Sequence, residues 1–192
     1  MTSHAWRYAT PVLFLAVWAI ALIRLPVPAP ASASELAEVA IGYYKIRDLP
    51  RMRSTFKEAL AQDPQDFRTN FVAGVIAHQE RDWKEAQTRL ESAHRLRPDD
   101  IETALTLGVV YHHEEEYEAA ARLYKRVQAL DPKNPRAAYN MGQLCVTVLA
   151  YGQAQTYLKQ YLQLAPQAPD RPEVERLIGQ LQASLKASKT KS

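Results

Sequence analysis

The chain has one cysteine, Cys145, in 192 residues, so no intramolecular disulfide can staple it. Glycine is scarce, at 6 residues, and no glycine-rich phosphate loop, HExxH pair or Ser/His/Asp set with supporting context is present. Charge of one sign is not in excess. Lys and Arg total 24 against 21 acids, and Arg7 and Arg24 lie in the acid-free first 33 residues, which leaves 22 against 21 for the remainder. Basic and acidic residues are interleaved, so no long-range field favours nucleic acid. Alternating β-branched residues are missing, while Ala, Leu, Glu, Gln and Arg abound, which points to an all-helical chain. An apolar run of the length a membrane span needs, about 20 residues, is missing too.

What is present is a period. Pro64, Pro98, Pro132 and Pro166 stand 34 residues apart. The same period carries a small residue at Ala40, Gly74, Gly108 and Gly142, a second column at Met52, Ala86, Ala120 and Ala154, and a large apolar one at Phe56, Leu90, Tyr124 and Leu158. Columns held in register at such a spacing mark a stacked repeat array, which presents a surface instead of enclosing a pocket. Each unit reads as two antiparallel helices. In the second unit one helix is expected over residues 67–80 and the other over 83–96, with Pro98 where a helix cannot continue. No unit can bury its apolar face alone; stacking buries it jointly. Residues 171–187 recur as Val174, Leu177, Ile178, Leu181 and Leu185 on one side and polar residues on the other, as a capping helix requires. Asp170, Pro172 and Glu173 supply its N-terminal signals.

The pattern resembles the tetratricopeptide repeat, most clearly in the third unit, through Leu107-Gly108, Tyr111, Ala120, Tyr124 and Pro132. The column that opens the family pattern holds Leu36, Asn70, Ala104 and Ala138 here, and the first unit departs furthest, with Ala40 and Met52. The resemblance implies an all-α, right-handed α-solenoid of four helix pairs plus a C-terminal cap. The expected organisation is a leader at 1–33, a repeat domain at 34–187 with units at about 33–66, 67–100, 101–134 and 135–168 and the cap at 171–187, and a tail at 188–192. It also implies that the mid-helix glycines sit where paired helices cross, with Ala86, Ala120 and Ala154 in the matching place.

The leader is a separate object. Arg7, an apolar run over residues 9–23 broken only by Pro11, and the small-residue sites Ala29-Pro30-Ala31 and Ala31-Ser32-Ala33 describe a secretory signal peptide. An uncleaved inner-membrane anchor, with Arg24 snorkelling to the interface, is the second reading, and a buried core helix the third. The first two place the repeats outside the cytoplasm, in the periplasm of a bacterial envelope, and let the protein meet a membrane only through this segment. Without a cysteine beside the run, a lipid-anchored lipoprotein is excluded.

In the family, first-helix residues beside the packing columns line the concave side. The candidate partner-binding groove is therefore Ile41, Tyr44, Phe71, Val75, His78, Leu105, Val109, His112, Tyr139, Gln143 and Val146, with Ala37 at its start. This stripe is apolar and aromatic, with charge at its edge in Arg68, Glu102 and Arg136, and a contiguous apolar patch marks an interaction site. It suits a partner's amphipathic helix or extended apolar peptide. Phe71, Leu105 and Tyr139, one period apart, are expected side by side and outside the packing columns. The function expected is a non-catalytic protein-binding scaffold without a cofactor, serving assembly of an envelope complex. A self-associating homo-oligomer that uses the same face is the alternative. A metal protein built on His78 and His112, beside the His112–Glu116 run, is the minor one. The family's carboxylate clamp is disfavoured, because Ala37, Ile41 and Val72, or Phe71, Val75 and Thr106 one unit on, occupy the positions that need Lys and Asn. Cys145 reads as a small buried hydrophobe.

Overall fold

A computed structural model describes residues 31–189. Within them the chain is helical, without strands: α1 (Ala33–Lys45), α2 (Leu49–Gln62), α3 (Phe67–Gln79), α4 (Trp83–Leu96), α5 (Ile101–His113), α6 (Tyr117–Leu130), α7 (Pro135–Thr147), α8 (Tyr151–Leu164) and α9 (Arg171–Lys189). The fold is an all-α solenoid of four helix pairs closed by α9. Residues 1–30, which carry the apolar run of the signal-peptide and anchor readings, lie outside the described residues, whereas Ser32 and Ala33, expected to end the leader, cap and open α1.

Helix starts follow from short acceptors. Ser32, Asp48, Asp66, Asp82, Asp100 and Asn134 each accept a hydrogen bond from a first-turn backbone N–H, and Ser32 with Glu35 forms a reciprocal capping box. Asp66, Asp100 and Asn134 each follow a periodic proline by two residues, so one helix stops and the next begins within a fixed spacing. Inside each pair the chain turns on a residue with positive φ: Arg47 at 61°, Arg81 at 61°, Glu115 at 62° and Leu149 at 59°. These also stand one period apart. The N–H after each returns to a carbonyl five residues back, as in Asp82 to Ala77 at 2.9 Å and Ala150 to Cys145 at 2.8 Å. This is the Schellman closure that usually employs glycine, built here four times without one.

Packing explains the remaining columns. Successive pairs meet through each second helix and the first helix of the following unit, and α9 packs on α8. A Cβ placed on Gly74 would come within 2.6 Å of Leu90 Cγ, and one on Gly142 within 2.7 Å of Leu158 Cδ2. At Gly108 it would meet Tyr124, with Cδ1 and Cζ at 3.0 Å. This corrects one sequence expectation. The side chain lying over each glycine comes from the large apolar column, not from Ala86, Ala120 or Ala154, although those alanines are fully buried. A small residue lets the partner helix approach, and the large one then fills the space so made. Asn70, in the column that opens the repeat, is 1% exposed. Its amide donates to the carbonyls of Pro64 and Asp66, both at 2.9 Å, and so ties the interunit turn to α3.

Asp170 departs from its expected capping role. Its backbone carbonyl receives the Glu173 and Val174 N–H groups, and its carboxylate accepts the Tyr161 hydroxyl at 2.6 Å, which fastens the cap to α8. The cap helix extends to Lys189, two residues past its expected end.

Candidate binding groove

The first helices α1, α3, α5 and α7 follow one another along one face, each touching the next. Salt bridges lace its edge. Arg68 of α3 pairs with Glu38 of α1, and Arg136 of α7 reaches both carboxylate oxygens of Glu102 on α5 at 2.7 Å. All four side chains are at least half exposed, so each pair contributes at most about 1 kcal/mol and serves mainly to align neighbouring helices.

Between α3 and α5 lies a hollow of about 300 Å³. It brings together five of the expected groove residues: Phe71, Val75, His78, Leu105 and Val109. Val72 and Thr106 line it too, with Glu102 and Arg136 at the mouth. In the sequence Val72 and Thr106 stand out only as positions that fail the carboxylate-clamp pattern. They stand one period apart beside Phe71 and Leu105, and that spacing was the available signal.

Leu105 requires correction. It is fully buried within the central core, so it forms the hollow's floor and is not a free contact residue. Ala37 is fully buried as well. Phe71 is half-buried, packs against that core and stacks on Phe67 with ring centroids 5.8 Å apart. The expectation that Phe71, Leu105 and Tyr139 lie outside the packing therefore fails for Leu105 and holds only in part for the other two. Tyr139 packs on Tyr161 of α8 at 5.0 Å. With Gln143 it lines a separate hollow of about 240 Å³ against Val174 and Leu177 of the cap helix. The cap covers the last unit's share of the stripe, because the final repeat has no following unit to bury it. Val146 belongs to the same C-terminal cluster. Ile41 and Tyr44, on α1, are half-buried and line neither hollow.

The histidines form an aromatic cluster at the turn end of the face. Trp83 of α4 stacks on His113 at 4.3 Å and meets the edge of His78 at 5.5 Å, while His112 meets Tyr117 at 5.9 Å. The Thr147 hydroxyl donates to the Gln143 carbonyl at 3.2 Å. The same hydroxyl oxygen lies 2.9 Å from His112 Nε2, and the imidazole tautomer sets which of the two donates. Burial holds His78 and His112 below the ordinary histidine value of 6.5, and the neighbouring His113 adds to the effect. No group of three or more His, Cys, Asp or Glu side chains gathers to hold a metal among the described residues. The partners of these imidazoles are rings and a hydroxyl. Cys145 is buried, and burial raises its thiol above the usual range, which suits a packing role and not a nucleophile.

These features define an all-α helical-repeat solenoid, a fold similar to that of tetratricopeptide repeats. The tetratricopeptide repeat family model matches residues 107–179. Solved structures extend the likeness over most of the chain. MamA superposes with a TM-score of 0.65 at 20% identity, over 72% of this chain and 81% of that one. MamA from Desulfovibrio magneticus RS-1, a fragment starting at its residue 41, gives 0.65 at 20% identity over 72% and 78%. A chain of the Cut9–Hcn1 hetero-tetramer of the APC/C gives 0.66 at 15% identity, over 79% of this chain and 30% of that one. At these identities the likeness is one of fold. No curated protein matches the chain in sequence.

Proposed function

We propose that the protein is an exported, non-catalytic scaffold that binds an apolar peptide or amphipathic helix of a partner protein on its first-helix face, as an accessory to assembly of an envelope complex. The observation that carries the reading is the hollow between α3 and α5. It has an apolar floor of Phe71, Val75, Leu105 and Val109 and a single ion pair at its mouth, and its small size suits one or two anchoring side chains rather than a whole substrate. The repeat fold supports the same reading, since stacked units supply extended surfaces.

The decisive variant places Glu at the half-buried positions Val75 and Val109 together. Capture of envelope proteins by the full chain should be lost while the helical circular dichroism signal stays unchanged. Capture that survives the double change would remove the groove from the mechanism. If wild-type protein sediments as a dimer and the double variant as a monomer, the face joins two copies and the self-assembling reading takes its place.

Export rests on the leader. Cleavage after Ala31 would start the mature chain at Ser32 and preserve its capping box with Glu35, whereas cleavage after Ala33 would remove that cap. N-terminal sequencing should therefore find Ser32. An intact Met1 in the membrane fraction would support the anchor, and an intact start in the cytosol would defeat export.

A further inference from the structure

Away from the groove, a cavity of about 410 Å³ opens between the first and second units. Its floor is Met52, Phe56 and Leu60 of α2 with Ala73, Ile76 and Ala77 of α3. The next junction shows why it exists. One period on, the columns of Ala73, Ala77 and Arg89 hold Leu107, Tyr111 and Leu123. Leu107 and Leu123 are buried there, and the Tyr111 hydroxyl donates to Glu91 at 3.0 Å. At the first junction Glu91's column holds Lys57, so the large ring and its anchoring carboxylate are lost together. Two alanines and an arginine held at the cavity wall by Glu85 leave the space unfilled.

The mouth is not electrically symmetrical. On the side of α3 and α4 every acid is engaged. Glu80 pairs with Arg47 at 3.2 Å, Glu85 pairs with Arg89 at 2.7 Å, and Asp82 caps α4 through the Glu85 N–H at 3.2 Å. On the facing rim stand Arg53 and Lys57, one helical turn apart on α2. They line the cavity and have no ion-pair partner among the described residues. The floor residues offer no side-chain hydrogen-bond donor or acceptor, so a peptide inserted there would leave its main-chain polar groups unsatisfied at a cost of kilocalories each. An alkyl chain presents none. The volume falls in the range of about 300–1,000 Å³ typical of small-molecule sites.

We propose that this cavity binds a single-chain carboxylate amphiphile, a medium-chain fatty acid, with its tail on the Met52, Phe56, Leu60 and Ile76 floor and its carboxylate between Arg53 and Lys57. Guanidinium and ammonium donors facing a carboxylate make charge-assisted hydrogen bonds, the stronger kind. The site is distinct from the first-helix groove, and its occupancy is independent of which protein that groove engages.

The test titrates the full chain calorimetrically with dodecanoate, dodecanol and dodecyltrimethylammonium, each below its micelle concentration. Dodecanoate should bind with micromolar affinity and dodecyltrimethylammonium much more weakly. Filling the cavity as the third unit does, with Ala77→Tyr or, separately, Ala73→Leu, should weaken dodecanoate by about tenfold or more without lowering the melting temperature. Reversing the two exposed cations, Arg53→Glu with Lys57→Glu, should weaken dodecanoate by about tenfold, the loss expected for its charge-assisted bonds, and leave dodecanol unchanged. The proposal is overturned by the absence of dodecanoate binding, by equal binding of the cationic amphiphile, or by unchanged affinity in the filled or charge-reversed variants. The charge-reversed variant alters only exposed side chains, so it decides the matter even if both filled variants unfold.

Discussion

Replacing Gly108 by Leu should be the most damaging single change of its size in the repeat domain. A Cβ alone at this position would lie 3.0 Å from two ring carbons of Tyr124 and nearer still to a third. Tyr124 is fully buried, and its hydroxyl has no hydrogen-bond partner, so the ring has neither free space nor a polar anchor to move towards. Burial also drives its phenol far above the ordinary tyrosine range, as expected where water does not reach the group. Overpacking of this kind costs about 1–3 kcal/mol, occasionally more, and the Leu side chain belongs at the upper end. Gly108→Ala should cost less, because the first unit holds Ala40 at the same column above Phe56, with both buried. The control is Gly42→Ala in α1. Nothing lies within 4 Å of a Cβ there, so the change should recover the helix propensity lost to glycine, about 1 kcal/mol. In a chain of this length 1 kcal/mol moves the melting temperature by about 2–4 °C. Thermal melts followed by far-ultraviolet circular dichroism should therefore place Gly108→Leu several degrees below wild type and Gly42→Ala slightly above it. Melts of equal midpoint for the two variants would refute the crossing geometry.

Two further outcomes follow from the turns and the histidines. Leu149, 68% exposed at φ 59°, occupies a left-handed position that costs a side-chain-bearing residue about 1–2 kcal/mol. After allowing for glycine's larger unfolded-state entropy, Leu149→Gly should raise stability by about 0.5–1 kcal/mol, and a lowered denaturation midpoint would contradict the turn assignment. His78 and His112 sit below their unfolded value of 6.5, so the unfolded chain binds more protons than the native one as the pH falls through and below that value. The stability they contribute is complete above about 6.5 and is lost on acidification towards their lowered native values. Melting temperature should fall between about pH 7 and pH 5, and the double change of His78 and His112 to Gln should flatten the slope. An unchanged slope would show that burial does not hold these rings neutral.

Residues that repeat in register could be read from the sequence because each column reports the same environment four times over. The all-helical class, the pairing of helices and the tight crossings at Gly74, Gly108 and Gly142 were all legible in this way. The binding stripe was legible as a direction and not as a set of exposed residues. Leu105 and Tyr139 share a column with Phe71, yet Leu105 lies wholly in the core and Tyr139 is held against Tyr161 and the cap. A period specifies which side of a helix faces a neighbour. How much of that side chain remains free depends on what the neighbour carries, and on whether the next element is another repeat or the end of the array. The cavity between the first two units has the same origin. Ala73, Ala77 and Arg89 are unremarkable one at a time, and they leave a space only because α3 and α4 bring all three to one junction with α2. The fold is thus local and repeated, which a sequence can announce, whereas its accessible surfaces are set pairwise between units, and only the packed structure decides them.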